Sequence, residues 1–320
     1  MSDAVTLRIG TRARLLARTQ TGWVADQLRS LGHAVTLEII HTSGDERGDV
    51  PVPRIGGDGV FVRELEAALL DGRIDAAVHS LKDLPTAVTA GLSLACVPRR
   101  AIPFYVLVSR QHPSLAALPP GAIVGTSSVR RALQVRALRP DLEVRGVRGN
   151  VDSRLRRLDA GEYAALVLAW AGLERLGLAA RITEILRPAD FWPAVGQGAL
   201  VVQARTEDAA TRAAIAPLDH PETHAAVRAE RSFLAALAGG CLAPIGAWAR
   251  AGAAGGIELG GCVLEDRHGI VHRIVAAGES SPTESPESLG AAVALKLRAD
   301  GADEMLAAAR AAAPRPAAGG

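Results

Sequence analysis

Apolar residues follow two rhythms that take turns along this chain. Leu7-Arg8-Ile9 alternates with period two and predicts a strand, and residues 15–31 carry apolar positions three and four apart and predict a helix. Val35-Thr36-Leu37-Glu38-Ile39-Ile40 returns to strand alternation, and helical spacing resumes over residues 60–70. Ala76-Ala77-Val78 is a short apolar run that predicts a buried strand ending at a loop over residues 79–83.

A second stretch begins near Cys96-Val97-Pro98. It holds strands at Val106-Leu107-Val108, Ile123-Val124-Gly125 and Leu166-Val167-Leu168, with helices over residues 128–138, 152–158 and 169–176. Ala199-Leu200-Val201-Val202 is a further buried strand, placed to return to the first sheet. A third stretch follows Pro221, with a helix to about Leu237, Gly-rich strands and one C-terminal helix over residues 288–313, then a frayed tail. Strands alternating with helices imply α/β layers with a largely parallel sheet, whose ligands bind beyond the carboxyl ends of the strands.

Composition narrows the function classes. With 48% hydrophobic and 22% charged residues among 320, the chain is an ordinary globular one of two or three domains. Aromatics make up only 3%, and the formal net charge is +2, so there is neither a stacking platform nor a global field for nucleic acid. No apolar run reaches the ~18 residues of a membrane span, and Met1-Ser2-Asp3 leads directly into the first strand without a secretory leader, which predicts a cytoplasmic protein. Cys96, Cys241 and Cys262 are too widely spaced for a disulfide framework or a four-ligand zinc site, and the histidines lack metal-ligand spacing, so no metal is expected.

Two kinds of motif carry chemistry. Lysine occurs only at positions 82 and 296, so Lys82-Asp83 at a strand end, in His79-Ser80-Leu81-Lys82-Asp83, is not compositional drift. Thr126-Ser127-Ser128 alone is a helix cap, but Arg130 and Arg131 in the first turn that follows oppose the macrodipole unless an anion binds there. Arg148 and Arg154 flank Gly149-Asn150 in the same manner. A lone cysteine is most often a small buried residue, yet Gly239-Gly240 before Cys241 and Pro244 after it place that thiol on a loop. One carboxylate facing many guanidiniums suits a polyanionic organic substrate.

These segments, with Arg8-Ile9-Gly10-Thr11-Arg12, Thr42-Ser43-Gly44-Asp45, residues 59–66, Ala171-Gly172-Leu173 and residues 193–199, occur in the order found in the porphobilinogen deaminase (hydroxymethylbilane synthase) family. The resemblance covers residues 5–250. It implies two similar α/β domains of the type 2 periplasmic-binding-protein-like kind and a small α+β C-terminal domain: residues 1–97 with 198–218, residues 98–197, and residues 219–313, with residues 314–320 as tail. It implies a transferase that condenses four porphobilinogen molecules head to tail into hydroxymethylbilane, releasing ammonia, on a dipyrromethane cofactor joined to Cys241 by a thioether.

By the same resemblance Asp83 is catalytic, and Ser80, Lys82, Asp83, Thr126, Ser127, Ser128, Arg130 and Arg131 contact the cofactor. Arg12, Arg148, Arg154 and Arg175 hold carboxylates of substrate or chain, with Arg8 and Gln20 near them and Phe61 against a pyrrole. A monomer with a small-molecule substrate, and no nucleic-acid or membrane partner, is expected. The chain departs from the family pattern at Arg14-Leu15, where Ser-Pro is common, at Asp58, where lysine is common, and over residues 100–105, where an Arg-Glu-Asp-Pro-Arg-Asp run is common. The alternative is a two-domain carboxylate-binding or sensor protein without catalysis, which explains the arginines but not Lys82-Asp83 beside a loop cysteine.

Overall fold

The structure, a computed structural model, describes residues 5–42, 59, 62–240, 243–253 and 255–312. Phe61 and Cys241 lie outside the described residues, as does Asp58. The chain divides into two compact units, residues 1–101 with 199–224 and 315–320, and residues 102–198 with 225–314.

In the first unit, β1 (Thr6–Arg12) runs parallel to both β2 (Ala34–Ile40) and β3 (Ala76–Ser80). The late strand β10 (Leu200–Arg205) inserts antiparallel between β3 and β4 (Leu92–Cys96), giving the order β2-β1-β3-β10-β4. Leu7, Ile9, Ala76 and Val78 pack with Val24 and Leu28 of α1 (Leu15–Ser30) and with Ala214 and Ile215, which end α6 (Ala209–Ile215). Ala77, between Ala76 and Val78, turns to the opposite face, where Leu65, Ala68 and Leu69 of α2 (Arg63–Leu70) cover it. Both faces of β3 are thus buried, which is why its sequence is a continuous apolar run instead of an alternating one. A Cβ on Gly10 would lie 2.4 Å from Ile74 Cδ1, so glycine at that point of β1 lets this layer close.

The second unit repeats the arrangement. Here β6 (Ile123–Gly125) runs parallel to β7 (Glu143–Arg145) and β8 (Ala165–Ala169), while β5 (Tyr105–Ser109) lies antiparallel between β8 and β9 (Glu184–Leu186), in the order β7-β6-β8-β5-β9. The loops after β6, β7 and β8 lead to α3 (Val129–Leu138), α4 (Val151–Asp159) and α5 (Trp170–Arg175). The same unit holds a meander of β11 (Ile245–Ala251), β12 (Ile257–Arg267) and β13 (Ile270–Glu279). Phe233 of α7 (Pro221–Ala236), Val293 and Leu297 of α8 (Pro286–Ala299) and Leu306 of α9 (Ala302–Ala312) share a core with it. Cys262 and Leu264 of β12 pack on Leu133, which ties the meander to α3.

Two expectations are corrected. The sheets are mixed, not largely parallel, because β10 and β5 each enter from outside the local βαβ run and pair antiparallel on both sides. The single C-terminal helix is two, broken after Asp300 where Gly301 takes φ +93°, a conformation that an L side chain resists and glycine accepts. Among the described residues no helix is long and apolar enough to cross a membrane.

Candidate active site

In the first unit the candidate residues gather at the carboxyl ends of β1 and β3. Strand β3 runs through Ser80, and Leu81–Asp83 form a single 3-10 turn, so the predicted loop is a tighter and more ordered element. Its backbone is fixed by Leu81 N–H donating to Ala199 O at 3.1 Å. Gln20, buried on α1, lies against Ser80: its Nε2 donates to Ser80 Oγ at 3.0 Å, and that hydroxyl lies 3.2 Å from Gln20 Oε1. Asp83 is half-buried, and among the described residues its carboxylate has no hydrogen-bond or ion-pair partner. Lys82 beside it is half-buried as well.

His79 precedes this group and is buried, with Nε2 lacking a hydrogen-bond partner. Burial drives its pKa down to about 4, and the nearby Arg12 charge acts in the same direction, against a contribution from Gln203. Arg12, at the end of β1, is therefore close to the tip of β3. Arg8 is not. Its guanidinium grips Asp75, just before β3, and donates to Gly72 O at 2.8 Å. Since β1 and β3 run parallel with Ile9 level with Ala76, Arg8 stands at the amino ends, about five residues and ~16 Å along the sheet from Ser80, where β3 ends. Arg8 is thus held at the amino ends of the two strands, while Arg12 stands at the carboxyl end of β1.

In the second unit the candidates follow β6, β7 and β8 on one edge of the sheet. Ser127 Oγ donates to Val147 O at 2.7 Å, joining the first two loops. Ser128 occupies the N-cap position of α3, but no side chain caps this helix. Thr126 Oγ1 instead accepts from Ser128 N–H at 3.3 Å, so the predicted Ser/Thr cap is not made. Arg131 donates from Nη1 to Val167 O at 2.9 Å, its guanidinium lies 4.3 Å from the centre of the Tyr105 ring, and its buried Nε has no partner. Arg130 is buried. Its Nε donates to Ile245 O, its Nη1 to Tyr105 Oη at 3.1 Å and its Nη2 to Ala243 O at 3.4 Å. Three of its five N–H groups are thus used within the protein.

The loop after β7 turns at Gly149, with φ +95°. Asn150 then caps α4 by accepting from Ser153 N–H at 2.9 Å. Arg148, just before the turn, is half-buried and has no side-chain partner among the described residues. Arg154 donates from Nε to Gly149 O at 2.9 Å. Arg175 closes α5 and donates to Gly198 O at 2.7 Å. Burial lowers its pKa to about 10, opposed by Glu174, so it is a cation drawn out of water with one carbonyl against it.

The second unit therefore offers guanidinium N–H groups that the fold leaves open, and the first offers a carboxylate that the fold leaves open. A purely structural arginine in a protein interior is normally saturated. Open donors fit a ligand with several carboxylates, and dipyrromethane, with an acetate and a propionate on each ring, is of that class. Tyr105 is the site-supporting residue that sequence reasoning missed as such. Its only signal was a departure from a family pattern.

Comparison with known proteins agrees with this chemistry. A family model described as "Porphobilinogen deaminase, dipyromethane cofactor binding domain" matches residues 7–213, and that family's C-terminal domain matches residues 224–299. Porphobilinogen deaminase of Syntrophobacter fumaroxidans is 44% identical over 308 residues, covering 96% of this chain and 98% of its own. Those of Bordetella parapertussis and Roseiflexus castenholzii are 47% and 48% identical, covering 96% and 94% of this chain and 97% and 98% of their own. Among solved structures, the methionine-binding protein MetQ aligns at 15% identity over 67% of this chain and 89% of its own with a TM-score of 0.42, a likeness too loose to bear on function. With two family models together spanning most of the chain and relatives near half identity along almost all of it, this chain belongs to the porphobilinogen deaminase family.

Proposed function

We propose that this chain is a transferase that joins four porphobilinogen molecules head to tail into hydroxymethylbilane, releasing ammonia at each addition, with Asp83 as the catalytic residue. The observation that carries the reading is the open Asp83 carboxylate, set on a 3-10 turn at the carboxyl end of β3 with no partner among the described residues. Loss of ammonia from porphobilinogen leaves positive charge spread onto the pyrrole nitrogen. A fixed carboxylate beside that nitrogen stabilises the charge as it develops, which is the largest kind of single catalytic contribution. The Gln20–Ser80 contact and the Leu81–Ala199 hydrogen bond hold the turn in place, so no reorganisation is needed during the reaction.

Cys241 would hold the dipyrromethane cofactor through a thioether, with Ser80, Lys82, Thr126, Ser127, Ser128, Arg130 and Arg131 contacting it. When bound, the cofactor supplies the primer on which the chain is built. Arg12, Arg148, Arg154 and Arg175 hold carboxylates of incoming and joined units, with Gln20 near them and Phe61 against a ring. Guanidinium suits this task because its planar fork can meet a carboxylate with two parallel hydrogen bonds. The reading further assigns three domains, residues 1–97 with 198–218, residues 98–197 and residues 219–313, and a cytoplasmic monomer without nucleic-acid or membrane partners.

Intact mass tests it. The purified protein should exceed its chain mass by two porphobilinogen units less two ammonia, and Cys241→Ser should abolish the increment. Fully active protein with a free, alkylatable Cys241 would refute the assignment.

A further inference from the structure

His79 Nε2 on β3 and Gln203 Oε1 on β10 are both buried without a hydrogen-bond partner. The strands pair with His79 opposite Val201 and Ala77 opposite Gln203, so the two side chains are diagonal neighbours on the face that α2 covers. The rest of the Gln203 amide is committed. Its Nε2 donates to Glu66 Oε1 at 2.8 Å, and Glu66 Oε2 accepts from Thr89 Oγ1 at 2.8 Å. A carboxylate only accepts, so the amide nitrogen belongs to Glu66 and the amide oxygen is left for the imidazole. Burial takes the His79 pKa down to about 4, and Gln203 is close enough to offset part of that, so at pH 7 the ring is neutral with one N–H.

We infer that His79 carries its proton on Nε2 and donates it to Gln203 Oε1, which makes His79 a positioning residue for Asp83. One hydrogen bond then satisfies both orphaned atoms, as buried polar groups normally require. It also completes a clamp on the end of β3. Ser80, the next residue, faces the opposite side and is held by Gln20 of α1. His79 holds its own side through Gln203 to Glu66 of α2. The strand end is thus fastened to a helix on each face, immediately before the 3-10 turn that carries Asp83. A carboxylate that stabilises developing charge is effective only where it is fixed in advance, so slack in this clamp is read as lost turnover.

The inference rests on Asp83 as the catalytic residue, and the experiment separates the two, using cofactor-loaded protein throughout. Nitrogen-15 NMR at pH 7, with the His79 signals assigned by their loss in the variants, should show this ring protonated at Nε2 and bare at Nδ1. Glutamine places an amide nitrogen where Nε2 stands, and asparagine places one where Nδ1 stands. His79→Gln should therefore keep kcat within about twofold, and His79→Asn should lower it about fivefold, the scale of one neutral hydrogen bond, with KM for porphobilinogen unchanged in both. Gln203→Leu, which removes the acceptor, should lower kcat at least as far. In an Asp83→Asn background, His79→Asn should have no further effect on turnover, because a residue that acts through Asp83 has nothing left to position, whereas general damage to the fold would add to the loss. A proton on Nδ1, a His79→Asn as active as His79→Gln, or full additivity with Asp83→Asn would overturn the inference. Near-normal turnover in Asp83→Asn alone would instead overturn the reading of Asp83.

Discussion

Arg8 and Asp75 form a two-point ion pair at the amino ends of β1 and β3, with Nη2 to Oδ1 at 2.8 Å and Nε to Oδ2 at 3.1 Å. The Arg8 backbone N–H adds a third bond to the same carboxylate at 2.8 Å, and Arg205 Nη2 approaches it at 3.3 Å. Burial alone would raise the Asp75 pKa, but the Arg8 hydrogen bonds and charge outweigh it and leave it lowered. Arg8 is thus spent on the sheet and not on a ligand.

The pH dependence follows from the sign of that shift. A carboxyl whose pKa is lower in the folded protein contributes stability that is complete above the ordinary aspartate range and fades as pH falls through its lowered folded value. Asp75→Asn should therefore lower the melting temperature at pH 7, and the gap to the parent should close as the pH is taken down through the carboxylate range. Arg8→Leu should likewise cost stability. A raised KM for porphobilinogen in Arg8→Leu with an unchanged melting temperature would return Arg8 to the binding site.

Asp83→Asn keeps the shape of the side chain and removes its charge. Because the carboxylate has no hydrogen-bond or ion-pair partner among the described residues, the melting temperature should stay close to the parent's, while turnover drops by ~10²–10³, the scale of losing one electrostatic stabiliser. Near-normal turnover with the cofactor bound would show that another group carries the chemistry.

Arg131 and Arg148 should fail differently. Arg131→Leu should give protein mostly lacking dipyrromethane, since it removes the guanidinium with the open buried Nε. Arg148→Leu should carry the cofactor and stall, with enzyme-bound intermediates visible by mass after porphobilinogen is added. If both variants loaded and turned over alike, the arginines would not be divided between cofactor and growing chain.

His79 predicts a second acid sensitivity. Its folded pKa of about 4 lies below the ordinary 6.5, so the unfolded chain takes up a proton first as pH falls. Stability should be unaffected by this group above pH 6.5 and should decline from there towards pH 4 by up to about 3 kcal/mol. Denaturant unfolding of His79→Gln should show a flatter pH dependence across that interval. An unchanged slope would mean that His79 takes up its proton alike in the folded and unfolded states.

Much of the architecture was legible because burial is written in residue type. Ala76-Ala77-Val78 reads as a strand covered on both faces, and α1 and α2 do cover it. Ser80 and Asp83 are neighbours in one motif, whereas Gln20, sixty residues from Ser80 in the chain, meets it only through the fold. The pairing of Arg8 with Asp75 was not legible, because spacing along a strand says nothing of where a distant carboxylate will lie. The Ser128 cap was misread for a related reason, since a hydroxyl at a helix start has several backbone partners within reach.

What the sequence determined by itself was local and chemical: the alternation of strands and helices, and the residue types able to hold a carboxylate-rich ligand. Those follow from side-chain size, polarity and backbone freedom, which belong to each residue wherever it sits. Which strands would pair antiparallel, that Arg8 would meet Asp75, and that Tyr105 would take one arginine by its hydroxyl and the next by its ring were decided only by the tertiary structure. Each depends on a partner tens of residues away, and the direction in which a long guanidinium side chain points is set by the nearest acceptor that packing brings within 3 Å.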